Sequence, residues 1–336
     1  MRAQRWNNGT GHWKSLGQIQ FNNGTNLGES VSFEERVAEA SILAFAAVWG
    51  SLGNAMVIVA VACRKPLRTK VRFLIVNLAL INFVSCFIIL PFDVVSIALD
   101  GWQFSDELCN VLSSLGHTLA ISSTAILALI ALNRYIHIAK SVDVYRSLYG
   151  GRRFGYQLAT VWLASLALPN ILVASGIGTR GYDDTIDICN MDRSDPSSLL
   201  YGTLLMLAFV PLTSVIIIWS YIRLFLFVRE HNAAVMFRAA TSSIEERRRP
   251  AIPRKEIRLA LISLAVIACF VCCYLPSFAA FNIDPEYKHV SLHRITAYVY
   301  LLNGALNPFA YAWTDREVRG VFSAKMRPMN SVDTVT

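Results

Sequence analysis

The chain has 336 residues, 54% of them hydrophobic and only 16% charged. Soluble domains carry about a quarter charged residues, so this composition points to a membrane protein. A net charge of +8 would suggest nucleic acid in a soluble protein, but here the position of the charges decides their meaning.

Residues 1–36 are rich in Asn, Gly and Ser and are expected to be a disordered tail. They show no apolar core followed by a small-residue cleavage site, so no signal peptide is expected. Two glycosylation sequons, at Asn8 and Asn23, are usable only if this end faces the lumen or the outside.

Seven apolar segments follow, near 38–63, 71–98, 107–139, 155–176, 199–228, 256–281 and 292–313. Each approaches or exceeds the roughly 20 residues that cross about 30 Å of hydrocarbon. All are expected to be helices, because lipid offers no partner for backbone amides. Pro91, Pro169, Pro211, Pro276 and Pro308 lie inside them and should kink them. The third segment ends in Asn133-Arg134-Tyr135, and an arginine there is costly unless it is used or snorkels to the headgroups. The expected fold is an all-α membrane protein: a seven-helix transmembrane bundle over 37–314, a short amphipathic surface helix over 315–326, and a cytoplasmic tail over 327–336.

Loop charges set the orientation. Residues 64–72 hold Arg64, Lys65, Arg68, Lys70 and Arg72 with no acid, and 140–153 hold Lys140, Arg146, Arg152 and Arg153 against Asp143. In 229–258, eight Lys or Arg face four Glu. These alternate loops are therefore cytoplasmic. Topology alone accounts for their charge, and contact with anionic lipid or a protein partner would be an addition to it. The opposite side is acidic, with Asp93, Asp100, Asp106 and Glu107 read as one loop and Asp183, Asp184, Asp187, Asp192 and Asp195 as the next. The amino terminus is expected outside and the carboxyl terminus inside.

Seven cysteines are too few for a disulfide scaffold and match no zinc spacing. Cys109 and Cys189 face the oxidising side, and a bond between them is the only pairing available there. After Tyr311, Val318, Phe322 and Met326 form an apolar stripe at spacings of four on a short basic segment, which suits a helix lying on the membrane.

Several motifs fall in register along these segments. They are Gly53-Asn54 in the first, Asn77-Leu78-Ala79-Leu80-Ile81-Asn82 in the second, and Cys109 lying 25 residues before Arg134 in the third. Trp162, Pro211, Phe270 to Pro276, and Asn307-Pro308-Phe309-Ala310-Tyr311 continue the series. Together they resemble the rhodopsin-like (class A) G-protein-coupled receptors over roughly residues 37–326. Within that family Asn133-Arg134-Tyr135 resembles melatonin receptors. Tyr300 to Pro308 and Tyr274 resemble a vertebrate orphan receptor linked to medium-chain fatty acids.

The resemblance implies roles. Arg134 would pair with Glu256, 20 residues before Pro276, and hold the cytoplasmic end shut until activation swings the sixth helix out. Snorkelling for Arg134, and a plain juxtamembrane charge for Glu256, are the alternatives. Tyr135, Tyr274, Asn307, Pro308 and Tyr311 would belong to the same switch. Asn133 stands where the family usually has an acid, so Arg134 would be less restrained and basal activity raised. Asn82 replaces the usual aspartate, and with Asn54, Ser123, Asn303 and Asn307 it would form a polar interhelical cluster. Lacking a carboxylate, that cluster is expected to give little or no sodium dependence, tested by agonist affinity with and without sodium. A clear sodium effect abolished by Asn82→Ala would refute it. Tyr221 lies ten residues after Pro211 rather than the family's eight, where Trp219 stands, so either the fifth helix bulges or Tyr221 does not play the family's role.

The outer halves of the third, sixth and seventh helices would line a ligand pocket. Ser113, Gly116, His117 and Ala120 share one face, with Phe278, Phe281 and Tyr298 as aromatic walls. Core packing is the alternative for each aromatic and for His117. Gly116 stands where the amine receptors carry aspartate, which argues against an amine receptor. The seventh segment has no lysine, which excludes a retinal Schiff base. A small, mostly apolar ligand fits, such as an indole or lipid, with Arg180 and Arg294 at the rim to meet a carboxylate. The outer aspartates would instead suit a basic peptide. A secondary transporter is the rival from another class, opposed by the lack of an inverted repeat. No nucleophile–base pair, metal spacing or phosphate loop supports an enzyme. No cofactor, metal or nucleic acid is expected. The partners implied are an extracellular ligand, a heterotrimeric G protein, arrestin and membrane lipid, at the plasma membrane.

Overall fold

The computed structural model describes residues 31–63, 69–241, 252–285 and 288–314. The sequons at Asn8 and Asn23, the surface helix over 315–326 and the tail lie outside them. In chain order the elements are α1 (Phe33–Cys63), α2 (Lys70–Val84), a π turn (Ser85–Ile89), α3 (Leu90–Ala98) and α4 (Asp106–Ala139). Then come α5 (Val142–Tyr149), α6 (Arg153–Ala174), β1 (Arg180–Asp183), β2 (Ile188–Met191), α7 (Ser198–Thr241) and α8 (Arg254–Ile283). The last are α9 (Val290–Leu301) and α10 (Asn303–Thr314).

The fold is an all-helical seven-span bundle. Six spans are long, apolar helices that can cross a bilayer unaided. Each turns large apolar side chains outward, such as Phe45, Leu163, Val215 and Phe225, which suit lipid as solvent. The main core lies between α2, α4, α6, α7 and α8, around Leu74, Leu78, Ile126, Leu127, Ile130 and Ile262.

The seventh span departs from expectation. It is two helices broken at Leu302, six residues before Pro308. Proline has no N–H, so it leaves the carbonyl four residues back without its helical donor. That carbonyl belongs to Gly304, and Asn54 Nδ2 on α1 donates to it at 2.9 Å. The same amide donates to Gly50 O at 2.8 Å. Small residues permit this approach: a Cβ on Gly53 would lie 2.6 Å from Pro308 Cβ, and one on Gly50 3.2 Å from Ala305 Cα. Gly53→Ala is therefore expected to cost about 1–3 kcal/mol by overpacking. An unchanged thermal-unfolding midpoint in detergent would remove this contact from the account.

In the second span the π turn precedes Pro91 and makes room for a ring that would otherwise crowd the carbonyl of Phe87. No bulge interrupts α7, so the fifth span does not bring Tyr221 into the family's register. Trp219 instead packs edge-on against Tyr135 at 5.0 Å.

Two further features differ from the sequence reading. The second outer loop folds as an antiparallel hairpin, with Tyr182 opposite Cys189 and Arg180 opposite Met191. Cys189 is bonded to Cys109, which ties the hairpin to the first turns of α4. Asp93 is not a loop residue. It lies within α3 and is 2% exposed, because α1 and β2 pack over that part of the helix.

Candidate functional site

At the inner end of α4 the arginine is buried and held on two sides. Arg134 Nη1 donates to Glu256 Oε2 at 3.0 Å, and Nη2 donates to Asn133 Oδ1 at 2.9 Å. The Arg134 side chain is 3% exposed and that of Glu256 is 24% exposed. The position of Glu256 follows from Pro253, which starts α8 and puts the acid in its first turn. His137 Nε2, three residues beyond Arg134 on α4, lies 3.4 Å from the same Glu256 oxygen. Asn133 Nδ2 reaches Tyr145 Oη on α5 at 3.5 Å, and Tyr145 packs on His137 and Tyr149. Tyr145 and α5 are participants that the sequence reading misses. The amphipathic pattern of 142–149 in a basic inner loop is their available signal.

Beside this group is a cavity of about 320 Å³, lined by Arg134, His137, Tyr145, Glu256, Leu259 and residues at the start of α2. Lys70, Arg134 and His137 are basic residues of its lining.

In the middle of the bundle Asn54, Asn82, Ser123, Asn303 and Asn307 are all buried, at 5% exposure or less. Asn82 faces the seventh span: a Cβ on Gly304 would lie 3.8 Å from Asn82 Cβ. Among the described residues no hydrogen bond links Ser123 to these asparagines. Asn82 Nδ2, Asn303 Oδ1 and Asn307 Oδ1 also have no partner there. Above them Tyr274 stacks on Phe270 at 3.8 Å and meets Tyr300 edge-on at 4.6 Å. Tyr311 lies in α10.

The outer group on α4 divides between two neighbours. Ser113 Oγ donates to Asn190 O at 2.7 Å. His117 Nε2 and Asn190 Oδ1 are 3.1 Å apart, and Tyr201 Oη and His117 Nδ1 are 3.3 Å apart. An amide oxygen can only accept, so His117 donates from Nε2 and accepts at Nδ1, as a neutral imidazole does. His117 is therefore already satisfied by the hairpin and α7. Gly116 faces the other way, where an added Cβ would meet only Ile89 Cδ1, at 3.9 Å. Ala120 is half-buried. Phe281 packs in a cluster with Ile121, Met191, Tyr201 and Leu205, while Phe278 is half-buried.

The two rim arginines are engaged inside the protein, which corrects the expectation that they stand free for a carboxylate. Arg180 donates to Asn170 Oδ1 at 3.0 Å and to Pro169 O at 2.6 Å. A backbone carbonyl has two lone pairs, so Pro169 O can take this donor beside one from its own helix. Arg294 bridges Glu39 at 2.7 Å and Asp187 at 2.8 Å, and lies over the Tyr298 ring. It thus joins α1, the hairpin and α9. Desolvation raises the Asp187 carboxyl above its ordinary range, with Tyr182 and Arg294 opposing. Asp284 behaves differently: burial pushes it up, but backbone N–H groups of His289 and Lys288 win and hold it at about 2.

Residues 53–311 match the model of the 7 transmembrane receptor (rhodopsin family). The chain is 25% identical over 306 residues to the 5-hydroxytryptamine receptor 4 of Homo sapiens, covering 86% of this chain and 79% of that protein. It is 27% identical over 282 residues to the histamine H2 receptor of Rattus norvegicus, covering 80% and 74%. It is 25% identical over 340 residues to the alpha-1A adrenergic receptor of Mus musculus, covering 91% and 71%. The crystal structure of squid rhodopsin superposes with a TM-score of 0.78 at 21% identity, covering 88% of this chain and 87% of that one, which shows the shared fold.

Proposed function

The chain belongs to the rhodopsin family of seven-transmembrane receptors, and from that premise we propose that it carries an extracellular chemical signal to a heterotrimeric G protein at the inner face of the plasma membrane. It is a multi-pass membrane receptor and not an enzyme. The observation that carries the reading is the buried Arg134, paired at 3.0 Å with Glu256 beside an inner cavity.

The pair links the third and sixth spans in the closed state. Separating it releases α8, widens the cavity and frees Arg134 to meet the inserted helix of the G protein. Tyr135, Tyr274, Asn307, Pro308 and Tyr311 take part as the moving contacts between spans. Asn54 acts as a fixed brace, because it satisfies the carbonyl that Pro308 leaves without a donor. Arrestin and anionic lipid would meet the same basic inner face.

The ligand is small and mostly apolar on this reading. The small residues Gly116 and Ala120 on α4, the half-buried Phe278 and the hairpin beside the outer end of α4 support that size and character. The inhibitory class of G protein rests on the resemblance of Asn133-Arg134-Tyr135 to melatonin receptors. The relatives above are amine receptors by name, which brings amines into the set to be tried. A G-protein dissociation panel tests the reading, first without ligand and then with lipids, indoles, amines and basic peptides. Dissociation that requires Arg134 supports it. Substrate flux across vesicles with no guanine-nucleotide response would replace it with a transporter, and a response to basic peptides alone would move the ligand to that class.

A further inference from the structure

We propose that Asp93 anchors a cationic group of the extracellular ligand, making that ligand an amine with an apolar body. The inference rests on the receptor reading above and names the chemistry of its ligand.

Asp93 sits in the outer half of the second span and is 2% exposed. One turn to either side, Leu90 and Ile97 are buried in an apolar cluster. Among the described residues Asp93 makes no ion pair and no hydrogen bond. The arginines of the outer half are committed elsewhere. Arg294 is held by Glu39 and Asp187, Arg36 by Asp100, Arg180 by Asn170 and Pro169, and Arg193 lies 4.0 Å from Asp183. A carboxylate taken out of water without a counter-charge is costly, and an ionisable side chain inside a span marks a functional site. A ligand ammonium supplies the missing charge and the hydrogen bonds.

A Cβ added to Gly116 on α4 would make an ordinary van der Waals contact with Ile89 Cδ1, at 3.9 Å. Ile89 lies four residues before Asp93, so the two share a helix face that packs toward the third span. Glycine at 116 removes one anchoring position in the third span, and Asp93 supplies a carboxylate from the second.

The test uses the full chain in membranes with the cognate G protein, and the probes are 2-phenylethylamine, tryptamine and octylamine beside their neutral N-acetyl counterparts. At least one amine is expected to raise nucleotide exchange, with its N-acetyl form inactive or far weaker. Asp93→Asn, at matched surface amount, should raise that amine's half-maximal concentration at least about 30-fold, as expected when one member of a buried charge pair is lost. A merely structural role would lower the maximal response without that shift. If the Asn variant does not reach the surface, Asp93→Glu keeps the charge but moves it by one methylene, and should shift the amine's potency. The proposal is overturned if amines and N-acetyl forms act equally, if potency is unchanged in the variants, or if no amine acts. Exchange that depends on Arg134 but ignores every amine sinks this proposal alone; no Arg134-dependent exchange under any condition sinks the receptor reading too.

Discussion

Replacing Glu256 with Gln is expected to raise ligand-free nucleotide exchange by about 5- to 30-fold. The Gln keeps the size of the side chain and one acceptor oxygen for Arg134, but removes the charge. Arg134 is almost fully buried, so the pair is worth more than a surface salt bridge. Glu256 is about a quarter exposed, so it is worth less than a fully buried pair. An intermediate preference of about 1–2 kcal/mol for the closed state follows, and about 1.4 kcal/mol is a factor of ten in population. The rise applies while the open state is a minor species, so a receptor already mostly open would show a smaller change. Exchange into purified G protein, at matched receptor amount, reads the effect. A variant with the activity of the parent would mean that the contact at 3.0 Å does not restrain the inner end.

The second large effect runs the other way. Asn133→Asp should lower ligand-free exchange by about fivefold. Asn133 Oδ1 already accepts from Arg134 Nη2 at 2.9 Å, so the geometry for a charged acceptor exists. Charging the acceptor turns a neutral–ionic bond into an ion pair, a gain of about 1 kcal/mol on the closed side. The change is not free, because Asn133 is fully buried and its Nδ2 donor to Tyr145 is lost. That loss limits the gain. A wild-type chain silent without ligand, and unchanged by Asn133→Asp, would remove the idea that the amide leaves the arginine loosely held.

The two variants act on opposite sides of one guanidinium, and both partners contact it directly. Their effects should therefore not add in the double variant, since a new carboxylate at position 133 would take up part of the restraint lost at position 256.

The spans are legible because hydropathy and length are local properties, and the orientation because Lys and Arg cluster in alternate loops. The pairing of Arg134 with an acid 122 residues away is reached only through the family resemblance, since no local pattern connects them. Arg180 and Arg294 show the same limit. As sequence they read as free rim cations, but their acceptors are Asn170, Glu39 and Asp187, and Glu39 is 255 residues from Arg294. Asp93 reads as part of an acidic outer loop because acids near a span end belong to the rim by default. Its burial depends on α1 and β2, which no window around residue 93 contains. The break at Leu302 carries no Gly or Pro at its own position, and the bond from Asn54 to Gly304 beside it comes from 250 residues away. The hairpin is hidden by its short strands in a polar, aspartate-rich stretch.

The central claim is that the Arg134–Glu256 contact holds the inner ends of the third and sixth spans together. Spin labels at Val142 on α5 and Leu261 on α8, both exposed positions, report the distance across that end. In lipid nanodiscs without ligand, Glu256→Gln should move part of the distance distribution to longer values, and Asn133→Asp should narrow it toward the short one. Identical distributions in the parent and both variants, with unequal nucleotide exchange, would contradict the claim.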